Sequence, residues 1–239
     1  MARAIRGILF DKDGTVIDYW RTWVPINREA ALYAAKGDHA VADRLLRLGG
    51  HDPETDRVAA GSPLAAGDYS DIATAFAAHP GIANTPELRA AIERIFRDSG
   101  AIHSALIPGA RETLAELKRR GFRIGLATND SAGGLAASLE GRGILELCDF
   151  TVGCDSGFGT KPAPGMVLAF CETLGLAPDE AAVVGDAVHD LAMGRAAGAG
   201  LNIGVLSGTS ARQDLEGCAD LILDSINDMP ARPEFSGPA

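Results

Sequence analysis

What the sequence lacks narrows its class before any motif is read. Aromatic residues are scarce, 5% of 239, while glycine is plentiful at 29. That balance argues against an aromatic-rich sandwich and suits an α/β protein whose helices pack through small residues. No run of about 18 apolar residues occurs, so a membrane-spanning helix is not expected. Basic residues are in the minority, 22 Lys and Arg against 32 Asp and Glu for a formal net charge of −10. The positive footprint that phosphate-backbone binding requires is missing, and nucleic acid is not an expected partner. The four cysteines, Cys148, Cys154, Cys171 and Cys218, form no CxxC, and a chain of this size does not need disulfide staples, so they read as reduced and mostly buried. The first ten residues show no secretory apolar core or small-residue cleavage site, which makes the cytoplasm the expected compartment. What remains is 46% hydrophobic and 23% charged residues, the composition of a folded core.

Short apolar runs recur along the chain at Ile5 to Phe10, Phe122 to Thr128, Ala181 to Gly185, Leu201 to Leu206 and Ala219 to Leu223, with a weaker one at Asp149 to Val152. Helical patterns lie between them, over Pro108 to Arg120, Ser131 to Arg142, Pro164 to Leu174 and Val188 to Ala197. Gly121, Gly175 and Gly198 follow three of these patterns, as a left-handed helix cap requires. Strands alternating with crossover helices predict a mostly parallel, Rossmann-like sheet. Residues of roughly 20 to 100 break the rhythm, with helical patterns over Trp20 to Lys36, Asp38 to Leu48, Ser70 to Ala78 and Thr85 to Asp98 and no convincing strand. Thr85 can cap the last of these with Pro86 at its first position. The expected division is a core of 1–18 and 103–228, an α-helical insertion of 19–102, and a frayed tail of 229–239.

Polar residues cluster where the apolar runs end. In an open α/β sheet those carboxyl ends share one edge, where ligands bind. Asp11, Asp13, Thr128, Lys161 and the pair Asp186 and Asp190 should therefore converge. Asp11 and Asp13 can point to one side if Lys12 turns away, and Gly14 allows the chain to bend there. Two carboxylates about 4 Å apart repel by about 4 kcal/mol at an effective dielectric near 20. A hard divalent cation offsets that repulsion, and oxygen donors without a His or Cys cluster point to Mg2+ rather than Zn2+.

These residues resemble the motifs of the haloacid dehalogenase superfamily: Asp11-Lys12-Asp13-Gly14-Thr15, Thr128 in Ala127-Thr128-Asn129, Lys161-Pro162, and Gly185-Asp186 with Asp190 four residues on. The gaps of 33 and 25 residues between Thr128, Lys161 and Asp186 each fit one strand-helix unit, whereas the 117 from Asp11 to Thr128 must hold an extra domain. The helical insertion lies there, as in members with an α-helical cap. The last third, including Gly204 to Gly208, looks most like the phosphoglycolate phosphatases. The resemblance implies a phosphatase for a small phosphorylated metabolite, with Asp11 as nucleophile and Asp13 as acid and base. Mg2+ would sit on Asp11, the Asp13 carbonyl and Asp186. Thr128 and backbone N–H groups beside Asn129 would grip the phosphoryl oxygens, and Asp190 would orient Lys161, which Gly159 and Pro162 flank.

Each motif alone has an ordinary reading: a solvated turn, a helix cap, a surface lysine, a charged helix face. Found together, in order and at strand ends, they read as a catalytic site. Other functions on this scaffold are a sugar phosphomutase and a non-catalytic phosphate-binding protein. A dehalogenase or phosphonatase would lack the acid supplied by Asp13. His189 reads as an exposed helix position, Trp20 and Trp23 as packing between core and cap, Arg28 as a possible pocket residue, and Gly61 to Leu64 as a connector.

Overall fold

A computed structural model describes residues 4–238; Met1 to Arg3 and Ala239, which belong to the expected core segment and tail, lie outside it. The chain opens with β1 (Gly7–Asp11), buried throughout. It then leaves the sheet for α1 (Tyr19–Ala34), α2 (His39–Leu48), the single turn α3 (Pro63–Ala66), α4 (Tyr69–Phe76) and α5 (Pro86–His103). Helices and strands alternate afterwards: α6 (Ala110–Arg119), β2 (Arg123–Ala127), α7 (Ala132–Leu139), β3 (Phe150–Val152), α8 (Gly165–Leu174), β4 (Ala181–Gly185), α9 (Val188–Ala197), β5 (Leu201–Val205), α10 (Arg212–Leu215) and β6 (Leu221–Leu223).

Two compact units result, one from the chain up to Tyr19 and from Ala105 onward, the other Trp20–Ser104. The second unit runs slightly past the expected 102 because α5 continues to His103, beyond the pattern that ended at Asp98. Its helices begin as the sequence dictates. Asp38 accepts the Val41 N–H at the start of α2, and Thr85 accepts the Leu88 N–H at the start of α5. Within this unit Trp23 stacks on Phe96 at 5.6 Å, Arg57 lies over Trp20 at 5.4 Å, and Arg28 bonds Asp56 and the Pro53 carbonyl.

The sheet in the first unit has six strands in the order β3-β2-β1-β4-β5-β6. All its pairs are parallel. Alternation along β1 sends Ile8 and Phe10 to one face, where Leu114 and Leu117 of α6 and Leu135 of α7 cover them. Leu9 goes to the other face, against Met166, Phe170 and Met193 of α8 and α9. Both faces are therefore dry, as a parallel sheet requires. From β1 the chain builds outward to β2 and β3, whereas β4 to β6 lie on the other side, so the strand order reverses between β1 and β4. At such a switch point the flanking loops part and leave a crevice at the carboxyl edge. Among the described residues no helix is long and apolar enough to cross a membrane.

Two expectations are corrected. The segment from Met229 is not frayed over its described length. It forms short turns at Ile226–Ala231 and Pro233–Phe235, with Met229 and Phe235 fully buried. Phe235 meets Phe122 edge-on at 5.8 Å, and the Arg120 guanidinium donates to the carbonyls of Pro230 and Phe235 at 2.7 and 2.9 Å. One aromatic anchor does here what a helical stripe does elsewhere, which is why no period betrayed it. The cysteines are indeed thiols, but only Cys171 is buried and the other three are half-exposed. Phe235→Ala should lower unfolding free energy by about 3–5 kcal/mol, the usual cost of emptying a buried aromatic site. Urea denaturation checks this, and a change under about 0.5 kcal/mol, typical of a surface site, would return the tail to its frayed reading.

Candidate active site

Strand register assembles the first half of the site. Asp11 ends β1 opposite Ala127, and Phe10 lies beside Val184. Thr128 and Asp186 are the first residues past β2 and β4. All three therefore stand at the carboxyl edge beside the switch point, and all are buried.

Lys161 arrives from the loop between β3 and α8. Its buried Nζ bonds Asp11 Oδ1 and lies 2.7 Å from Asp190 Oδ1. Asp190 sits in the first turn of α9, where its Oδ2 accepts the Ala187 N–H at 3.0 Å and caps the helix. Both Asp190 oxygens are thus engaged, one by the lysine and one by the backbone. Asn129 clasps the Lys161 backbone, its Oδ1 accepting that N–H at 2.9 Å and its Nδ2 facing the carbonyl at 3.4 Å. The Asn129 side chain accordingly positions Lys161, and any grip on a ligand falls to its backbone N–H. Thr128 Oγ1 accepts the Asp130 N–H at 3.0 Å, which directs its own hydroxyl proton elsewhere.

Asp186 is held by a segment that lies outside all the motifs. Its Oδ2 accepts the Thr209 N–H at 2.8 Å, and Ser207 Oγ donates to the Gly14 carbonyl at 2.7 Å. The loop after β5 thereby bolts Asp186 to the turn that follows Asp11. Glycine is required on both sides: a Cβ at Gly208 would fall on the Asp186 carboxylate, and Gly14 has φ of 86° against the same group.

The electrostatics leave a deficit of positive charge. Burial raises Asp11 to a pKa of about 7, against the pull of Lys161. Burial, then Asp11 and Asp190, push Asp186 well above the usual carboxylate range. Burial also works to raise Asp190, but the charges of Lys161 and His189 and the hydrogen bonds from Lys161 and Ala187 together hold that group low. Burial opposes charge on Lys161, yet Asp11 and Asp190 keep its ammonium well above the ordinary lysine value. Asp11, Asp186 and Asp190 each bring an oxygen within 4.8 Å of the others. With Asp190 occupied, Asp11 and Asp186 are the pair able to face a cation, and Asp11 Oδ2 is buried without a hydrogen-bond partner. An all-oxygen donor set short of positive charge fits a hard divalent ion.

The Asp13 carboxylate does not join that group. Lys12 is fully buried and brings its Nζ to 3.1 Å from Asp13 Oδ2 and 2.9 Å from Asp130 Oδ2. His189 lies closer in than an exposed helix position, its Nε2 3.5 Å from Asp190 Oδ1. Burial lowers its pKa, against the attraction of Asp190. Sequence reading gave no site role to Asp130, Ser207 or Thr209. The Ser-Gly-Thr ending after β5 is the signal that could have found the last two, since the polar residues ending β1, β2 and β4 enter the site.

The chain is similar to known proteins over most of its length. A family model described as haloacid dehalogenase-like hydrolase matches residues 5–198. N-acetylmuramic acid 6-phosphate phosphatase of Pseudomonas putida is 31% identical over 195 residues, 81% of this chain and 80% of that protein. Phosphoglycolate phosphatase of Escherichia coli K12 is 26% identical over 240 residues, 94% and 91% of the two chains. Among solved structures, a predicted phosphoglycolate phosphatase from Haemophilus somnus superposes with a TM-score of 0.73 at 22% identity, covering 95% of this chain and 97% of that one. That last likeness speaks to the fold.

Gly208→Ala should displace Asp186 and weaken binding of a divalent cation by about 10- to 100-fold, as loss of a ligand's supporting contacts does. Gly217→Ala, where an added Cβ meets open space, should change nothing. Isothermal titration with Mg2+ measures both, and equal affinities would detach the β5 loop from the site.

Proposed function

The chain belongs to the haloacid dehalogenase-like hydrolases, and from that footing we propose that it is a Mg2+-dependent phosphatase acting on a small phosphorylated metabolite through a phosphoaspartate on Asp11. The observation that carries the reading is the buried clamp of Lys161 between Asp11 and Asp190. It presents a carboxylate at the mouth of the switch-point crevice beside a fixed cation, the arrangement an attack on an anionic phosphoryl group needs.

Mg2+, held by Asp11, Asp186 and the Asp13 backbone carbonyl, would neutralise phosphoryl oxygens and offset their repulsion of the nucleophile. In the first step an Asp11 oxygen bonds to phosphorus while the bond to the ester oxygen breaks. The electron pair leaves with that oxygen, which takes the proton of Asp13. In the second step Asp13, now a carboxylate, removes a proton from water as the water oxygen attacks phosphorus. The Asp11–phosphorus bond breaks, and Asp11 returns as a carboxylate with inorganic phosphate released. Lys161 holds positive charge against the reacting group, Asp190 keeps the ammonium in place, and Thr128 donates its hydroxyl proton to a phosphoryl oxygen. The helical unit, inserted between Asp11 and Thr128, would act as a cap that limits bulk water.

Two relatives support the substrate class. Their names specify phosphoesters of small organic acids, phosphoglycolate and N-acetylmuramic acid 6-phosphate. A screen of phosphorylated metabolites should begin with these two, and phosphate release is the expected outcome. Isomerised sugar phosphate without net release would favour a phosphomutase instead. Asp11→Asn and excess chelator should each reduce phosphate release to background in a molybdate assay, with Mg2+ restoring the chelated enzyme; sustained turnover by pure Asp11→Asn protein would reject Asp11 as nucleophile.

A further inference from the structure

Lys12 stands between the two acidic residues of the first motif, in a turn from which a lysine would ordinarily reach solvent. Its side chain instead has 0% exposure and lies between Asp13 and Asp130. A buried ammonium is unfavourable unless paired, and two carboxylates lie within ion-pair distance of it. Asp130 is itself fixed on every side: its Oδ1 accepts the Ser131 N–H at 2.7 Å, its N–H bonds Thr128 Oγ1, and its carbonyl accepts the Cys154 N–H at 2.9 Å. A Cβ at Gly134 would collide with its carboxylate, so the start of α7 closes over it. The Lys12 ammonium is thus anchored to the loop behind β2 that also carries Thr128, and from there it reaches Asp13.

We propose that Lys12 is a positioning residue for Asp13, with Asp130 as its anchor; this rests on the reading of Asp13 as the acid that protonates the leaving oxygen. A carboxylate on a short turn can rotate about its last bond, and an ammonium at one oxygen fixes its plane. As the proton passes from Asp13 to the ester oxygen, negative charge grows on a carboxylate that already faces a cation with nowhere to relax. A plain staple between two loops would not need one end of the pair to be the proton donor. Buried ion pairs are in any case weak contributors to stability.

The proposal separates from a structural role by the leaving group. An aryl phosphate such as p-nitrophenyl phosphate departs without a proton, whereas an alkyl phosphate such as phosphoglycolate, or the best alkyl ester from the screen, requires one. The quantity to read is kcat/KM at saturating Mg2+, because it contains only the steps up to the phosphoaspartate. Lys12→Met should lose about 100-fold on the alkyl ester, the low end of what a general acid contributes, and less than about threefold on the aryl ester. Asp130→Asn, which keeps the anchor's shape without its charge, should show the same bias at about tenfold, and it carries the test alone if circular dichroism shows Lys12→Met unfolded. Equal losses on both esters would overturn the proposal. Asp11→Asn serves as control. If wild-type protein cleaves both esters and Asp11→Asn cleaves neither, equal losses sink only the role of Lys12; if wild-type protein cleaves neither, the phosphatase reading falls and takes this inference with it.

Discussion

The site depends on one imbalance of charge. Asp11, Asp186 and Asp190 are buried together at the carboxyl edge of the sheet, and among the described residues the ammonium bonded within that group is that of Lys161. In a medium of low effective dielectric such crowding persists only if more positive charge arrives or if a carboxylate takes a proton. Burial first, and neighbouring carboxylates after it, raise Asp11 and Asp186, and Asp11 Oδ2 is left without a hydrogen-bond partner. On the proposed reading, a divalent cation would relieve that deficit and an anionic substrate would enter with it.

The rest of the core serves to keep this unfavourable arrangement in place. Parallel register delivers Asp11, Thr128 and Asp186 to a common edge, and dry packing on both faces makes that register costly to slip. Loops then finish what the strands begin. Asn129 fixes the backbone of Lys161, α9 fixes Asp190 through its first turn, and the β5 loop fixes Asp186. Asp190 is held by a backbone N–H as well as by its ionic partner, and Asp186 by the Thr209 N–H.

Much of this was legible in the sequence because it follows from local pattern. Apolar runs of strand length, helix caps such as Thr85 and Asp38, and a 117-residue gap between the first two motifs are enough to specify a parallel core interrupted by helices. The motif residues were legible because strand-end carboxylates, threonine and lysine have few structural reasons to recur in that order. What escaped depends on long-range geometry. Lys12 sits in a turn, and nothing near it in sequence reveals that Asp130, 118 residues later, will draw it inward. Thr209 acts through its backbone N–H, which every residue but proline possesses. The Asn129 side chain serves the lysine backbone 32 residues away. Met229 and Phe235 anchor their segment without a period for pattern reading to detect.

The most direct test is to trap the covalent step. Protein mixed with a turned-over substrate and Mg2+, quenched in milliseconds and reduced with borohydride, would convert an acyl phosphate to the alcohol, and peptide mass spectrometry would locate it. The expected result is homoserine in place of Asp11, appearing only when metal and substrate are both present. Reduction at another acidic residue, or rapid phosphate release with Asp11 never modified, would contradict a nucleophilic carboxylate at the end of β1.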